Sequence, residues 1–373
     1  MTGGFVQTVT GPVPAGELGL VLPHEHLFND LSGVLDPPSY RFTGFLADRA
    51  VDASAAWALR QDPYCCADNL AAKPVDGVVD EVAAFQAVGG RTIVDATCSA
   101  AIGRDPDKLV EAAHRTGLNI VMGCGAYLEK FEGERITANS VEAQAASISA
   151  ELARGVGEHR ARPGIIGEIG VSPDFTPAES ASLRAAALAQ REHPEVALMI
   201  HLPGWQRRGH EVLDIVLDEI GVDPGRVVLS HMDPSAADTA YQVGIADRGV
   251  WLEFDMIGMD ITFPKEGEAP ASRVSAAAVA GLVEAGHGHR VLLSHDVFLK
   301  QMWTRHGGNG FAFVPTVFAE MLRALEVGDD WIETLTRTNP ARMLSGQDRP
   351  TPLSAARELT ATEQRISSSM NLP

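Results

Sequence analysis

Two periodicities alternate along this chain. Short apolar runs bounded by glycine, proline and small polar residues recur, and between them lie longer stretches whose apolar residues return every three or four positions. The runs are Leu20–His26, Gly89–Cys98, Leu118–Gly125, Gly164–Gly170, Val196–His201, Arg226–His231, Val250–Asp255 and Arg290–Asp296. The amphipathic stretches lie at Val75–Val88, Asp107–Thr116, Val141–Gly155, Pro177–Glu192, His210–Ile220, Ala236–Arg248 and Ser275–Ala285, with Val314–Leu325, Asp330–Thr338 and Pro340–Leu344 after the last run. Near-continuous apolar runs suit strands buried on both faces, as in a parallel sheet covered by helices. Eight of them alternating with helices predict an α/β fold, a (β/α)8 TIM barrel.

Three segments fall outside the alternation. Phe5–Leu22 alternates weakly around Gly11-Pro12 and predicts a short N-terminal hairpin leading into the first strand. Residues 30–75, broken by Pro37-Pro38, Pro63 and Pro74, read as an insertion after strand 1 that covers a pocket. Residues 1–345 form a single barrel on this reading, and 346–373 a polar C-terminal tail.

At 373 residues the chain is the size of one such barrel with insertions. Its net charge of -19 repels phosphate backbones and anionic bilayers, which argues against nucleic-acid and membrane partners. The N-terminus lacks a basic region followed by an apolar core, and no run of about 18 apolar residues occurs, so a cytoplasmic location is expected. Cys65, Cys66, Cys98 and Cys124 have no zinc-ribbon spacing and are expected as reduced thiols.

The chemistry sits at the carboxyl ends of the runs. His24 and His26, two residues apart on a strand, point to one face. Glu168, His201, His231 and Asp296 end four later runs, spaced 33, 30 and 65 residues apart. One βα unit takes roughly 30 residues or more, so the last gap spans two units. The six therefore belong to strands one, four, five, six and eight, on the face where such barrels keep their catalytic groups. Singly, each has an ordinary structural explanation, such as an ion pair, a satisfied core histidine or a helix cap. Together, converging buried charges call for cations.

Imidazole and carboxylate suit two divalent metal ions, zinc first, with Mn2+, Co2+ or Fe2+ also accommodated. Glu168 is the natural bridge, His24, His26 and Asp296 hold the inner ion, and His201 and His231 the outer one. Water shared between two cations loses a proton near neutral pH and attacks an electrophilic centre. Asp296 is expected to relay that proton, so Asp296 and Glu168 are the expected catalytic residues.

Pro23-His24-Glu25-His26, Arg91–Asp95, Ile102–Asp105, Gly164–Gly170, Ser230-His231, Ser294–Asp296 and Thr338–Arg342 resemble, in order, the phosphotriesterase family of the amidohydrolase superfamily. The resemblance implies a binuclear metal hydrolase on a (β/α)8 barrel, and by the same analogy a homodimer. Many members bridge their metals with a carbamylated lysine. Glu168 takes that place here, as in the phosphotriesterase-related branch. True phosphotriesterases place a histidine after an aspartate on strand seven, whereas Asp255 is followed by Met256.

That second departure favours lactone, carboxylic ester or N-acyl amide hydrolysis of a small-molecule substrate over phosphotriester cleavage. Phosphotriesterase, metal-dependent deoxyribonuclease and a non-catalytic small-molecule binder are the alternatives. Candidate substrate contacts are Tyr127, Trp205, Arg207, Lys300 and Arg305, with Arg208 and Trp303 beside them. Asp233 is a candidate for orienting a ligand or moving a proton. Histidines such as His210, His287, His289, His295 and His306 are expected to be superficial or structural.

Overall fold

The structure, a computed structural model, describes residues 4–347. The expected polar tail lies outside these residues, apart from its first two. Eight parallel strands are hydrogen-bonded in sequence order: β1 (Leu20–Glu25), β2 (Gly90–Asp95), β3 (Asn119–Cys124), β4 (Ile165–Gly170), β5 (Ala197–His201), β6 (Val227–Leu229), β7 (Trp251–Phe254) and β8 (Val291–Leu293). β8 returns beside β1, so the sheet curls into a (β/α)8 barrel. No ladder pair among the described residues joins those two strands. A backbone bond from Asp296 N to His24 O, 3.2 Å, crosses between their ends.

Each strand is buried almost throughout because helices cover its outer face. Alternate residues divide into two layers. Leu20, Leu22, Ile93, Ile120, Leu198 and Leu252 face the helices. Val21, Val94, Val121, Ile165, Met199, Val228, Trp251 and Leu292 form a separate apolar cluster filling the lumen. Register irregularities fall between Leu22 and Glu25 in β1 and between Ile166 and Ile169 in β4, where candidate ligands leave the regular pleat.

The helices start and stop where the sequence signals them. Asp105 caps Pro106–Thr116 through Lys108 N, with Pro106 in the first turn and Gly117 left-handed beyond the last. Thr176 and Glu179 form a reciprocal capping box on Pro177–Glu192. The predicted helix His210–Ile220 starts at Gly209 and passes into a wider π-turn over Asp214–Glu219.

The N-terminal hairpin pairs Phe5–Thr8 with Gly11–Pro14 and seats Val6 against the lower end of the lumen cluster. Its turn falls at Val9-Thr10, just before the predicted Gly11-Pro12, because Gly11 pairs with Thr8. Between β1 and the helix Val75–Ala87 the chain makes only short turns, including Arg41–Leu46, Ala56–Leu59 and Ala67–Leu70. Leu31, Val34, Leu35 and Tyr64 of this segment line a cavity over the carboxyl ends of the strands.

Candidate metal centre

Period-two alternation carries side chains from the apolar lumen up into that cavity. Met199 and His201 share a face of β5, Trp251 leads through Glu253 to Asp255 on β7, and Leu292 leads through Ser294 to Asp296 on β8. His231 (φ 61°) and Asp296 (φ 54°) sit in the left-handed region just past their strands. Non-glycine residues adopt that conformation rarely, and here it re-aims two side chains into the mouth. Gly167 and Gly170 let β4 approach its neighbours closely. A Cβ on Gly167 would stand 2.3 Å from Met199 O, and one on Gly170 2.4 Å from Leu128 N.

The six residues meet. Glu168 Oε1 lies 3.2 Å from His26 Nε2, while Oε2 lies 3.0 Å from His201 Nδ1, 3.4 Å from His231 Nε2 and 3.6 Å from His24 Nε2. Asp296 Oδ1 lies 3.2 Å from His26 Nε2 and 3.8 Å from His24 Nε2. His24, His26 and Glu168 present ligand atoms all within 4.8 Å of one another, and so do Glu168, His201 and His231. Glu168 belongs to both sets.

Burial opposes charge on His24, but the carboxylates of Glu168, Asp255 and Glu253 outweigh it and push its pKa up to about 10. Burial is likewise overcome at His26, pushed to about 9 by Asp296 and Glu168. His231 is driven well above the ordinary histidine value by Asp255 and Glu168 against its burial. Burial would raise Glu168 and Asp296, yet the facing histidines hold both carboxyls down. His201 is lowered by burial and by the neighbouring His231. The cluster thus keeps its carboxylates ionised and draws positive charge to itself.

His24 Nε2 and Asp296 Oδ1 are nevertheless buried without a conventional hydrogen-bond partner. Orphaned polar atoms side by side, among histidines and carboxylates that become ligands once the imidazole proton is lost, fit divalent cations. The far side of three of the four rings is fixed too. His24 Nδ1 faces Glu253 Oε2 at 3.0 Å, His26 Nδ1 faces Thr97 Oγ1 at 2.9 Å, and His231 Nδ1 faces Asp255 Oδ1 at 2.9 Å. Such partners hold the tautomer and ring orientation that a ligating imidazole needs.

The cavity above holds about 1170 Å3. Aromatic rings run along one wall, from Trp205 and Tyr64 through Phe263 to Phe298, which meets His26 edge-on. Tyr127 also lines it, its hydroxyl 3.3 Å from His201 Nδ1. Burial and the nearby Glu168 raise that phenol well above the ordinary tyrosine value, so it remains a donor.

The basic residues expected at the mouth are elsewhere, because each found an acidic or carbonyl partner on the outer surface. Arg207 donates to Gly204 O and Pro234 O and lies over Tyr241, and Arg208 binds Pro173 O and Glu211. Lys300 pairs with Asp68 at 2.7 Å, and Arg305 donates to Gly77 O while lying over Trp303. Trp303 is itself buried against Gly77 and walls no part of the cavity. Asp233 neither faces a candidate ligand nor lines the cavity. It accepts from Asp255 N, Met256 N and Ser275 Oγ, and so holds the end of β7.

Residues passed over at the sequence level are mostly this supporting tier. Glu253, Asp255 and Thr97 orient the histidines. Glu253 carried a signal, a lone carboxylate inside the apolar run Trp251–Phe254, spaced two residues from Asp255. Lys73 is another, fully buried, with Nζ bonded to Asn29 and to Phe298 O at 2.7 Å and a pKa lowered by burial to about 7.

The phosphotriesterase family profile matches residues 4–344. A phosphotriesterase-related protein of Nematostella vectensis is 30% identical over 351 residues, covering 92% of this chain and 99% of the relative. An N-acetyltaurine hydrolase of Tetraodon nigroviridis is 30% identical over 347 residues, covering 92% and 98%. Among solved structures, a resiniferatoxin-binding protein from Rhodobacter sphaeroides is similar with a TM-score of 0.89 and 45% identity, over 93% of this chain and 96% of that one.

Proposed function

We propose that this chain, which belongs to the phosphotriesterase family and is a metal-dependent hydrolase, cleaves the ester, lactone or N-acyl amide bond of an uncharged, largely apolar small molecule. The observation that carries this reading is the convergence of His24, His26, Glu168, His201, His231 and Asp296 on the floor of an aromatic-walled cavity. His24, His26 and Asp296 would hold one divalent cation and His201 and His231 a second, with Glu168 shared, and zinc is the ion we assign. When bound, such ions supply Lewis acidity and make a nucleophile from water at neutral pH.

The chain's own groups do the rest. Asp296, kept ionised, accepts the proton of the attacking water and returns it to the leaving oxygen or nitrogen. Tyr127 donates from its hydroxyl to an oxygen of the scissile group. Phe263, Phe298 and Trp205 pack the apolar part and keep bulk water from the reacting carbon.

The charge of the lining supports the choice of an uncharged substrate. Asp36, Asp62, Glu129, Glu134, Asp174, Glu179 and Glu266 line the cavity, against Lys130 and Lys265. Lys265 is already paired with Asp36 at 2.6 Å. An anion such as N-acetyltaurine, the substrate named for several relatives, would enter against this field. The solved relative named for binding resiniferatoxin is consistent with a bulky apolar ligand. The test is kcat/KM of metal-replete protein on esters, lactones and N-acyl amides, each offered with a carboxylate- or sulfonate-bearing analogue. We expect the uncharged member to lead by at least tenfold. Preference for the anion, or no hydrolysis across the series, would sink the assignment.

A further inference from the structure

Three of the six converging residues stand on the two strands that no ladder joins. His24 lies near the end of β1, His26 just past it, and Asp296 just past β8. Their mutual position therefore depends on what else crosses the seam.

A carboxylate crosses it. Glu25 is fully buried between the two histidines, and alternation along the strand turns its side chain away from theirs. Its Oε1 accepts from Ser294 Oγ at 2.8 Å, His295 N at 3.1 Å and His295 Nδ1 at 2.7 Å, and its Oε2 accepts from Val297 N at 2.8 Å. Ser294 Oγ in turn accepts from His24 N at 3.1 Å, which commits its own proton to Glu25. His295 Nε2 accepts from Val314 N at 2.8 Å, so Nδ1 carries the ring proton. Every partner of this carboxylate is a donor, and all lie on three residues that bracket Asp296: Ser294, His295 and Val297. Asp296 itself is held at φ 54°, a conformation its neighbours must impose.

We infer that Glu25 is a positioning residue, the side chain that, beside the Asp296 N to His24 O backbone bond, takes the place of strand pairing across the seam and sets Asp296 against His24 and His26. The inference rests on the two-cation reading of the site. It makes a specific demand of the isosteric Glu25→Gln variant. An amide keeps one acceptor oxygen. If that oxygen serves the three donors at the Oε1 position, the NH2 group is left facing Val297 N–H, donor against donor. The turn carrying Asp296 then loosens while His201 and His231, on other strands, keep their geometry.

The test is elemental analysis and chelator competition on the full-length, metal-loaded protein, with deuterium exchange on the metal-free form. The wild type is expected to hold two ions per chain and Glu25→Gln one, with exchange at the His295 and Val297 amides at least tenfold faster. A folded Glu25→Gln protein that holds two ions with wild-type resistance to chelator overturns the inference. A wild type with fewer than two ions defeats the two-cation reading instead, and the exchange rates then judge Glu25 alone, unchanged rates counting against it. Should Glu25→Gln fail to fold, Ser294→Ala carries the same test. That variant removes one donor to Glu25 and one acceptor for His24 N, and ion binding as tight as the wild type's would overturn the inference.

Discussion

The two ends of the barrel lumen are built on the same strands with the same period of two, yet they solve opposite problems. At the lower end Val21, Met199, Trp251 and Leu292 are fully buried, and Val6 of the hairpin caps them. One or two steps along the same faces stand Glu253, Asp255, Asp296 and His201, most of them almost as deeply buried, and His24 joins them past the irregularity in β1. The apolar end gains stability from burial alone, about 25 cal/mol per Å2 of apolar surface. The ionisable end pays instead, through orphaned atoms at His24 and Asp296 and through the desolvation of the charges it gathers. A buried polar atom without a partner costs about 1–3 kcal/mol. The apolar lower end thus supplies the stability that holds a polar mouth in place, and cations would satisfy the atoms that the mouth leaves orphaned.

Substitutions at the two ends should separate accordingly. Glu168→Ala removes the group shared by both ligand sets, so we expect loss of bound ions and a fall in hydrolysis beyond the roughly 100-fold that outer-shell changes cause. The metal-free protein should also melt lower than wild type at neutral pH, because the substitution leaves His24, His26 and His231 buried without the carboxylate that faces them. A variant that kept both its ions and its rate would break the comparison at the mouth.

Trp251→Ala tests the other end. Its indole fills the lumen, donates to Gly225 O at 2.8 Å and lies under Arg290, whose guanidinium carbon is 4.9 Å from the ring centroid. A cavity of that size should cost about 3–5 kcal/mol in a denaturant titration. Ion content should not change, and a selective loss of metal would show that the two ends are not separable.

How much of this was legible in the sequence follows from the same contrast. The eight strands were readable because burial on both faces leaves runs such as Ile165-Ile166 and Val227–Leu229 little room for polar residues. The six converging residues were readable because each lies at or near the end of a run and the last four runs are one or two βα units apart. The supporting tier was not. Glu25 and Glu253 lie within strands, where parity says which face a side chain takes but not which strand opposes it. Asp255 marked a departure from a family pattern, and nothing local linked it to His231, 24 residues away. Arg207, Lys300 and Arg305 misled because long basic side chains reach partners far from their Cα positions, and acidic neighbours such as Asp68 are common on a chain of net charge -19.

The histidine protons give the comparison a pH axis. The folded metal-free protein has His24 raised to about 10 and His26 to about 9, against an unfolded value near 6.5. Their contribution to metal-free stability is therefore fully present below about pH 6.5 and disappears as pH rises through 9 to 10. A cation must displace the same protons, so affinity should rise between pH 7 and 9 by about tenfold per pH unit for each proton released. Melting of metal-free and metal-loaded protein across that range should show a widening gap. A constant gap would mean that these histidines are already neutral, and the field of Glu168, Asp255 and Glu253 would have been misjudged.

The smallest expected effect belongs to Tyr127, a polar residue of the cavity wall that is not a candidate ligand. Tyr127 packs its ring edge-on against His201, centroids 4.9 Å apart, and presents a hydroxyl that remains protonated throughout the working range. If that hydroxyl meets the substrate, Tyr127→Phe removes one neutral hydrogen bond worth about 0.5–1.5 kcal/mol, hence roughly a 3- to 10-fold loss in kcat/KM. Ion content and melting temperature should stay as they were, since the ring contact survives. The division between kcat and KM then locates the bond. A fall in kcat alone places it on the oxygen that gains charge as the bond breaks, and a rise in KM alone places it on the resting substrate. Loss of ions in this variant would mean instead that the hydroxyl serves to hold His201, and that the supporting tier extends to the cavity wall.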